Sequence, residues 1–294
     1  MFSPPLLSTY SMTFAQRLEN AVRTKKSAVL VGLDPRMESL PEPCAGSFLD
    51  FSKGILDVVA PLVPAVKPQV AFFEQYGPEG MSVLKQVVDY ARQKGLLVIL
   101  DGKRNDIGTT AAAYADGMIG GQSVWGGDAI TVSPYLGDDS LTPFFETAEK
   151  RNGGVFVLVK TSNPGGAMLQ DLQTADGKPI YRHVAEYVQA ASEKVRGAGR
   201  YGSIGAVVGA TWPEQLAELR EVMPNVWFLV PGFGAQGGSA KDVAGAFDSE
   251  GLGAIVNNSR GIIFAHTQKK YAGLDWQRAV ELATREMTEQ LNGA

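Results

Sequence analysis

Cysteine is almost missing. The 294-residue chain has one, Cys44, so no intrachain disulfide is available and the expected setting is a reducing, cytoplasmic one. Histidine is nearly as scarce. His183 and His266 are the two present, neither at a spacing such as HxxxH, which argues against a His/Cys zinc site. No apolar run reaches membrane-spanning length, and the polar-dotted start lacks a signal peptide's charged lead and apolar centre. Lys and Arg form no clustered stripe, and a formal net charge of −4 gives no reason to expect nucleic acid as a partner. No linker, low-complexity segment or shift in composition divides the chain. The expectation is a cytoplasmic globular protein without nucleic-acid or membrane partners. It reads as one domain over residues 11–294 behind a tail at 1–10.

What the chain does have is a rhythm. Short apolar runs rich in β-branched residues recur: AVLVGLDP (28–35), AVKPQVAFFE (65–74), LLVILDGK (96–103) and DAITVSP (128–134). VFVLVKTS (155–162), IGAVVGAT (204–211), VWFLVPGFG (226–234) and GAIVNNSR (253–260) follow. Each is too continuously apolar to alternate between core and water, which suggests strands buried on both faces. Amphipathic stretches separate them. MSVLKQVVDYARQKG (81–95) returns an apolar residue every three or four positions and stops at Gly95. TWPEQLAELREVMP (211–224) opens on a threonine read as a cap.

Eight such strands alternating with helices over about 250 residues match a (β/α)8 TIM barrel. A doubly wound open sheet usually has fewer strands, and no GxGxxG follows the first run. The stretch SMTFAQRLENAVRTKK (11–26) reads as an extra helix closing the barrel bottom. In such barrels the active site lies at the C-terminal ends of the strands. The runs end there on Asp34, Lys67, Asp101 with Lys103, Ser133, Ser162, Thr211, Gln236 and Arg260. Charges inside strand termini, such as Lys67 and Asp101, need a partner or a function.

The stretch DGKRNDIGTT (101–110) concentrates the question. Residues two apart on a strand share a face, so Asp101 and Lys103 point the same way. Either they flank one small ligand or they form a plain ion pair tying the strand to a neighbour. Asp106 cannot continue that face, because the strand must end before the helix IGTTAAAYA begins. As a bare residue it reads as a helix cap or a first-turn acid. PGFGAQGG (231–238) has four glycines that let backbone amides approach an anion, and barrels commonly bind phosphate after strands seven and eight. Arg260 offers a fork of donors for a phosphoryl group. The plainer alternatives are a tight turn for the glycines and a surface role for the arginine.

DGKRNDIGTTA resembles the D-x-K-x-x-D-I-x-x-T signature of orotidine 5′-phosphate decarboxylases, which make UMP from OMP. VGLDP, VKPQVAFFE, TSNPG, PGFGAQGG and NNSRG resemble the same family in order, across residues 28–261. The longer chain, DGKRNDIG and NSRG look most like its larger bacterial subgroup, type 2. The resemblance implies a Lys-Asp-Lys-Asp network of Lys67, Asp101, Lys103 and Asp106. It implies a homodimer in which Asp106, with Ile107 and Thr110, completes the partner's site. It further implies that Asp34 and Lys67 hold the ribose hydroxyls and that Ser162 reads the pyrimidine. Gln236 and Arg260, helped by glycine amides, would grip the phosphate, and Pro231 would start a mobile loop. Segment 163–179 is expected to be a second lid.

The implied chemistry uses no metal and no cofactor. Lys103 would stabilise a carbanion at C6 electrostatically and then protonate it. Two rivals remain. Sugar-phosphate decarboxylases and aldolases share the barrel and a D-x-K-x-x-D motif, but use Mg2+ held by carboxylates at strand ends. Here strand two offers Lys67 instead. A nucleotide-binding barrel without catalysis would have no need of two acids beside a lysine. Arg104 reads as a supporting charge and Cys44 as a bystander.

Overall fold

The computed structural model describes residues 12–234 and 237–294, so the tail at 1–10 lies outside the described residues. Eight parallel strands close in sequence order, β1 pairing with both β2 and β8. They are β1 (Val29–Leu33), β2 (Ala65–Pro68), β3 (Leu97–Arg104), β4 (Ala129–Val132), β5 (Gly154–Lys160), β6 (Gly202–Val208), β7 (Val226–Val230) and β8 (Ala254–Asn258). Helix α1 (Phe14–Lys25) precedes the barrel, and α2 (Phe48–Val59) joins β1 to β2. Helices α3 (Val70–Glu74) and α4 (Gly77–Gln93) lead to β3, then α5 (Gly108–Met118) to β4 and α6 (Asp138–Arg151) to β5. Helices α7 (Ala167–Gln170) and α8 (Ile180–Arg196) lead to β6, and α9 (Pro213–Val222) to β7. Helix α10 (Ala240–Val243) precedes β8, and α11 (Arg260–Ile263) and α12 (Trp276–Asn292) follow it. This is the expected (β/α)8 barrel with an additional N-terminal helix.

The continuous apolar runs are explained by two separate cores. Val29, Val31, Val66, Val98, Leu100, Ile130 and Val132 face outward against the helices. Leu30, Ala65, Ile99, Ala129, Phe156, Trp227 and Ile255 fill the barrel interior. Helix α1 plugs the bottom with Phe14, Leu18 and Val22, and a capping box between Thr13 and Gln16 starts it. Phe14 meets Phe156 edge-on at 5.9 Å, and Gly154 leaves room for its ring. Burying such an aromatic stabilises by about 2–3 kcal/mol. Arg17 fixes the plug to the start of β4 through Asp128 at 2.5 Å.

On β2, β3, β4 and β8 one step of two residues converts this apolar floor into a polar one. Ala65 is followed by Lys67, Ile99 by Asp101, Ala129 by Thr131 and Ile255 by Asn257, all on the inward face. The change of chemistry at a fixed height positions the site.

Two local expectations need correction. The run 65–74 is not one strand: it stops at Pro68, which has no N–H for a further ladder bond. Val70–Glu74 becomes a helical turn that buries Val70 and Phe73, three residues apart. Thr211 does not cap α9, whose N-cap position is Trp212; its hydroxyl donates to the Ser162 carbonyl at 3.0 Å.

Candidate active site

Asp101 is the centre of the polar floor. Its Oδ2 accepts from Lys67 Nζ at 2.7 Å and from Gln69 Nε2 at 3.1 Å. Its Oδ1 accepts from Lys103 Nζ at 2.7 Å and from Thr131 Oγ1 at 2.9 Å. Two ammonium groups from adjacent strands therefore share one carboxylate, and a neutral donor completes each oxygen. Asp101 and Lys67 are buried, whereas the Lys103 side chain is 47% exposed and faces the mouth.

Burial alone would raise the Asp101 carboxyl, but the charges of Lys67 and Lys103, with their hydrogen bonds, hold it far below the usual carboxylate range. Burial would likewise lower Lys67, and the attraction of Asp101, then of Asp34, reverses it to a net upward shift. Asp101 and Lys67 thus each favour the other's charged form.

Lys103 stands where a regular strand would not put it. Its φ is +44°, and the pairing of β3 with β4 slips between Leu100 and Arg104. Its N–H donates to Thr131 Oγ1 at 2.9 Å, so the threonine holds both the lysine's backbone and the aspartate's side chain.

The other expected residues ring this centre at different distances. Asp34 follows β1 with its Oδ1 buried and without a hydrogen-bond donor among the described residues. Asp106 accepts the Ile107 N–H at 2.8 Å and does not cap α5, whose N-cap position is Ile107. Among the described residues no hydrogen bond links Asp106 to Lys67, Asp101 or Lys103. Ile107 is 55% exposed, Thr110 is exposed and Asp106 is half-buried. Ser162 lies past the end of β5, and Pro231, after β7, accepts the Ala210 N–H at 2.9 Å. Arg260 is the exposed first residue of α11 and lines a groove with Arg36, Phe233, Gly234 and Asn258. Gln236 lies outside the described residues.

The glycines after β7 form a tight turn. Gly234 N–H donates to the Gly238 carbonyl at 2.8 Å, Gly238 N–H to Gly232 at 3.2 Å and Gly237 N–H to Gly234 at 2.9 Å. Those three amides serve the loop itself. Segment 163–179 holds α7, a short bridge from Gln173 to Pro179 and a turn pinned by Thr174, Asp176 and His183.

Comparisons with known proteins agree on one family. The model described as "Orotidine 5'-phosphate decarboxylase / HUMPS family" matches residues 27–273. The orotidine 5′-phosphate decarboxylase of Rhodopirellula baltica is 54% identical over 96% of this chain and the whole of that protein. The chain belongs to the orotidine 5′-phosphate decarboxylase family. Its reaction is the decarboxylation of OMP to UMP, a step of pyrimidine biosynthesis. The solved OMP decarboxylase of Leishmania donovani superposes with a TM-score of 0.76, at 34% identity, over 96% of this chain and 98% of that one. The UMP synthase of the same organism matches 96% of this chain with a TM-score of 0.77 and 36% identity, but this chain spans 56% of its length.

In this decarboxylase, two members of the central cluster escape a reading of sequence alone. Thr131 sits inside a β-branched run, AITV, where threonine looks like any strand former. Its inward direction follows from that of Ala129, two residues earlier, which the structure places in the barrel interior. Gln69 is masked by the adjacent Pro68. Arg104 proves to be a tether, with its guanidinium 3.2 Å from Glu74 and 5.4 Å from the Tyr114 ring.

Proposed function

We propose that the decarboxylation of OMP proceeds on the Lys67–Asp101–Lys103 array, with Lys103 as proton donor. The supporting observation is the single carboxylate bonded at 2.7 Å by two ammonium groups, one buried and one open to the mouth. Cleavage of the bond between C6 and the carboxylate releases CO2 and leaves the electron pair in an in-plane orbital of C6. The pyrimidine ring cannot delocalise that pair. A fixed cation at that place stabilises the charge without reorganising, which is the most effective form of electrostatic catalysis. The Lys103 ammonium then transfers a proton to C6, giving UMP and a neutral amine that solvent reprotonates. Asp101 serves by holding two cations close together, which no apolar scaffold would tolerate.

Around this centre Asp34 and Lys67 take the ribose hydroxyls, and the unpaired Asp34 oxygen is suited to accept from one. Ser162 reads the pyrimidine, and Arg260 with Gln236 takes the phosphate, the loop beginning at Pro231 closing over it. Asp106, Ile107 and Thr110 complete the site of a second copy, so the working unit is a homodimer, in the cytoplasm. The exposure of Ile107 and Thr110 supports that arrangement. Among the described residues no helix is long and apolar enough to cross a membrane.

Purified protein mixed with OMP, followed by the absorbance change that accompanies loss of the C6 carboxylate, tests the activity directly. Turnover undiminished in EDTA separates it from the Mg2+-dependent sugar-phosphate enzymes of the same fold; dependence on added Mg2+ would reverse the assignment. Strand β2, which ends on AVKP, carries the Lys67 ammonium, which offers a metal no ligand.

A further inference from the structure

We propose that Lys160 is a positioning residue for base recognition: it ties the loop after β5 back onto that strand and thereby fixes Ser162. The inference rests on the reading of Ser162 as the residue that faces the pyrimidine.

Lys160 ends β5 and is 1% exposed. The pairing of β5 with β6 slips between Leu158 and Lys160, so the last residue of the strand is set by an irregular step rather than by regular alternation. Its ammonium pairs with Asp171, eleven residues later, and lies 4.8 Å from the Trp212 ring and 5.3 Å from the Tyr181 ring. One buried cation thus joins the loop, the start of α9 and the start of α8. Burying an ammonium is costly unless it is paired, and a methionine or leucine would fill the space without that cost. What the charge adds is a directional bond to the loop.

A second tie runs beside the first. Gln170 accepts the Thr161 N–H at 3.0 Å and donates to Thr161 Oγ1 at 2.8 Å. Adjacent loop residues, Gln170 and Asp171, therefore grip adjacent residues, Thr161 and Lys160. From the other side Trp212 Nε1 donates to the Thr161 carbonyl at 2.9 Å and Thr211 Oγ1 to the Ser162 carbonyl at 3.0 Å. Gly209 makes the close approach possible, since a Cβ there would lie 2.7 Å from Ser162 Cα. The peptides leading into and out of Ser162 are held by Trp212 and Thr211, and the peptide before them is held from the other flank by Gln170. Ser162 Oγ itself makes no hydrogen bond among the described residues. Such a frame fixes the direction of one side chain and one backbone segment, as hydrogen bonding to a flat heterocycle requires.

The test compares two ligands of the intact protein, UMP and ribose 5-phosphate, which differ by the base. Lys160→Met is expected to weaken UMP binding about tenfold, the scale of one misplaced hydrogen-bonding group, and to leave ribose 5-phosphate binding unchanged. Asp171→Asn should act in the same direction, and Asp171→Glu should recover most of the loss. A folded Lys160→Met protein with unaltered UMP affinity overturns the proposal. So does an equal loss for both ligands, which would make Lys160 a fold element only. Should Lys160→Met not fold, Gln170→Ala releases the loop from its own side and must show the same base-selective loss, its absence counting against the proposal. Ser162→Ala separates the two readings. If it leaves UMP binding intact, the role given to Ser162 is wrong; if it weakens UMP selectively while Lys160→Met does not, the tie alone is refuted.

Discussion

Lys103 Nζ lies 2.7 Å from Asp101 Oδ1 although the lysine's backbone is in the left-handed region, at φ +44°. A non-glycine residue pays about 1–2 kcal/mol for that conformation. The strain brings a partly exposed ammonium back over a buried carboxylate, which a straight strand end would leave to chance. Lys103→Ala should therefore remove nearly all turnover and leave UMP binding detectable, because Lys67 still neutralises Asp101. Lys103→Gly should be equally inactive but about 1 kcal/mol more stable than Lys103→Ala in denaturant, since glycine accepts the positive φ. Near-normal turnover in either protein would remove Lys103 as proton donor.

The proposed role of Asp106 in a second copy's site leads to a mixing experiment. If Asp106 completes the site of a second copy, Asp106→Asn and Lys103→Ala should each spoil every site of their own homodimer. A heterodimer of the two has one site with both defects and one with neither. Refolding the inactive proteins together should restore activity approaching one intact site in each mixed dimer. If the mixture stays as inactive as its components while dimers are demonstrably exchanged, Asp106 does not act across an interface.

Arg260 lines its groove beside Arg36, away from the Asp101 cluster. Arg260→Ala should weaken OMP and UMP by about ten- to hundredfold, the range for one charge-assisted contact to phosphate. Binding of orotidine and uridine should hardly change. Equal losses with and without the phosphate would assign the arginine to the fold.

The pH dependence of the cluster follows from its shifts. Asp101 is held below its unfolded value, so its stabilisation is present above about pH 4 and fades as pH falls through that value and below. Lys67 is shifted upward, so its contribution is present below about pH 10 and is lost at higher pH. Both remain ionised between about pH 5 and 9, and neither should contribute an inflection to the rate profile there. Asp101→Asn leaves the Lys67 ammonium buried without its counterion and should cost about 3–5 kcal/mol near neutrality. Urea unfolding should show that gap narrowing as pH drops below about 4; a gap constant down to pH 2 would contradict the assigned linkage.

The barrel was legible because continuous apolar runs of strand length, repeated with helices between them, have few other ways to bury both faces. Lys67, Asp101 and Lys103 were legible because charge at the end of such a run is costly and therefore conspicuous. Thr131 and Gln69 carry no charge, and their inward direction follows from register, which a linear sequence does not display. Lys160 stood in view within VFVLVKTS, but its partner Asp171 lies within a loop whose path no local pattern dictates. The helical turn at Val70–Glu74 was hidden because four residues in a row, VAFF, are apolar and suit either geometry. Asp106, Ile107 and Thr110 show the opposite limit: the resemblance assigns them to a second copy, and one chain's geometry shows Ile107 and Thr110 exposed and Asp106 half-buried.

Thr131 gives a prediction that depends on geometry rather than on charge. Its hydroxyl accepts from the Lys103 N–H at 2.9 Å and donates to Asp101 Oδ1 at 2.9 Å. Thr131→Val keeps the shape and removes both bonds, leaving the N–H of a strained residue without its acceptor. The expected cost is about 1–3 kcal/mol of stability, because the group left unsatisfied is partly buried. The more telling readout is kinetic. With the lysine's backbone released, the ammonium should spend less time at the place where charge develops, so kcat should fall by about tenfold or more while KM for OMP changes little. Thr131→Ser keeps the hydroxyl and should restore most of kcat. A Thr131→Val enzyme that is less stable but turns over normally would show that Lys103 finds its position without the threonine.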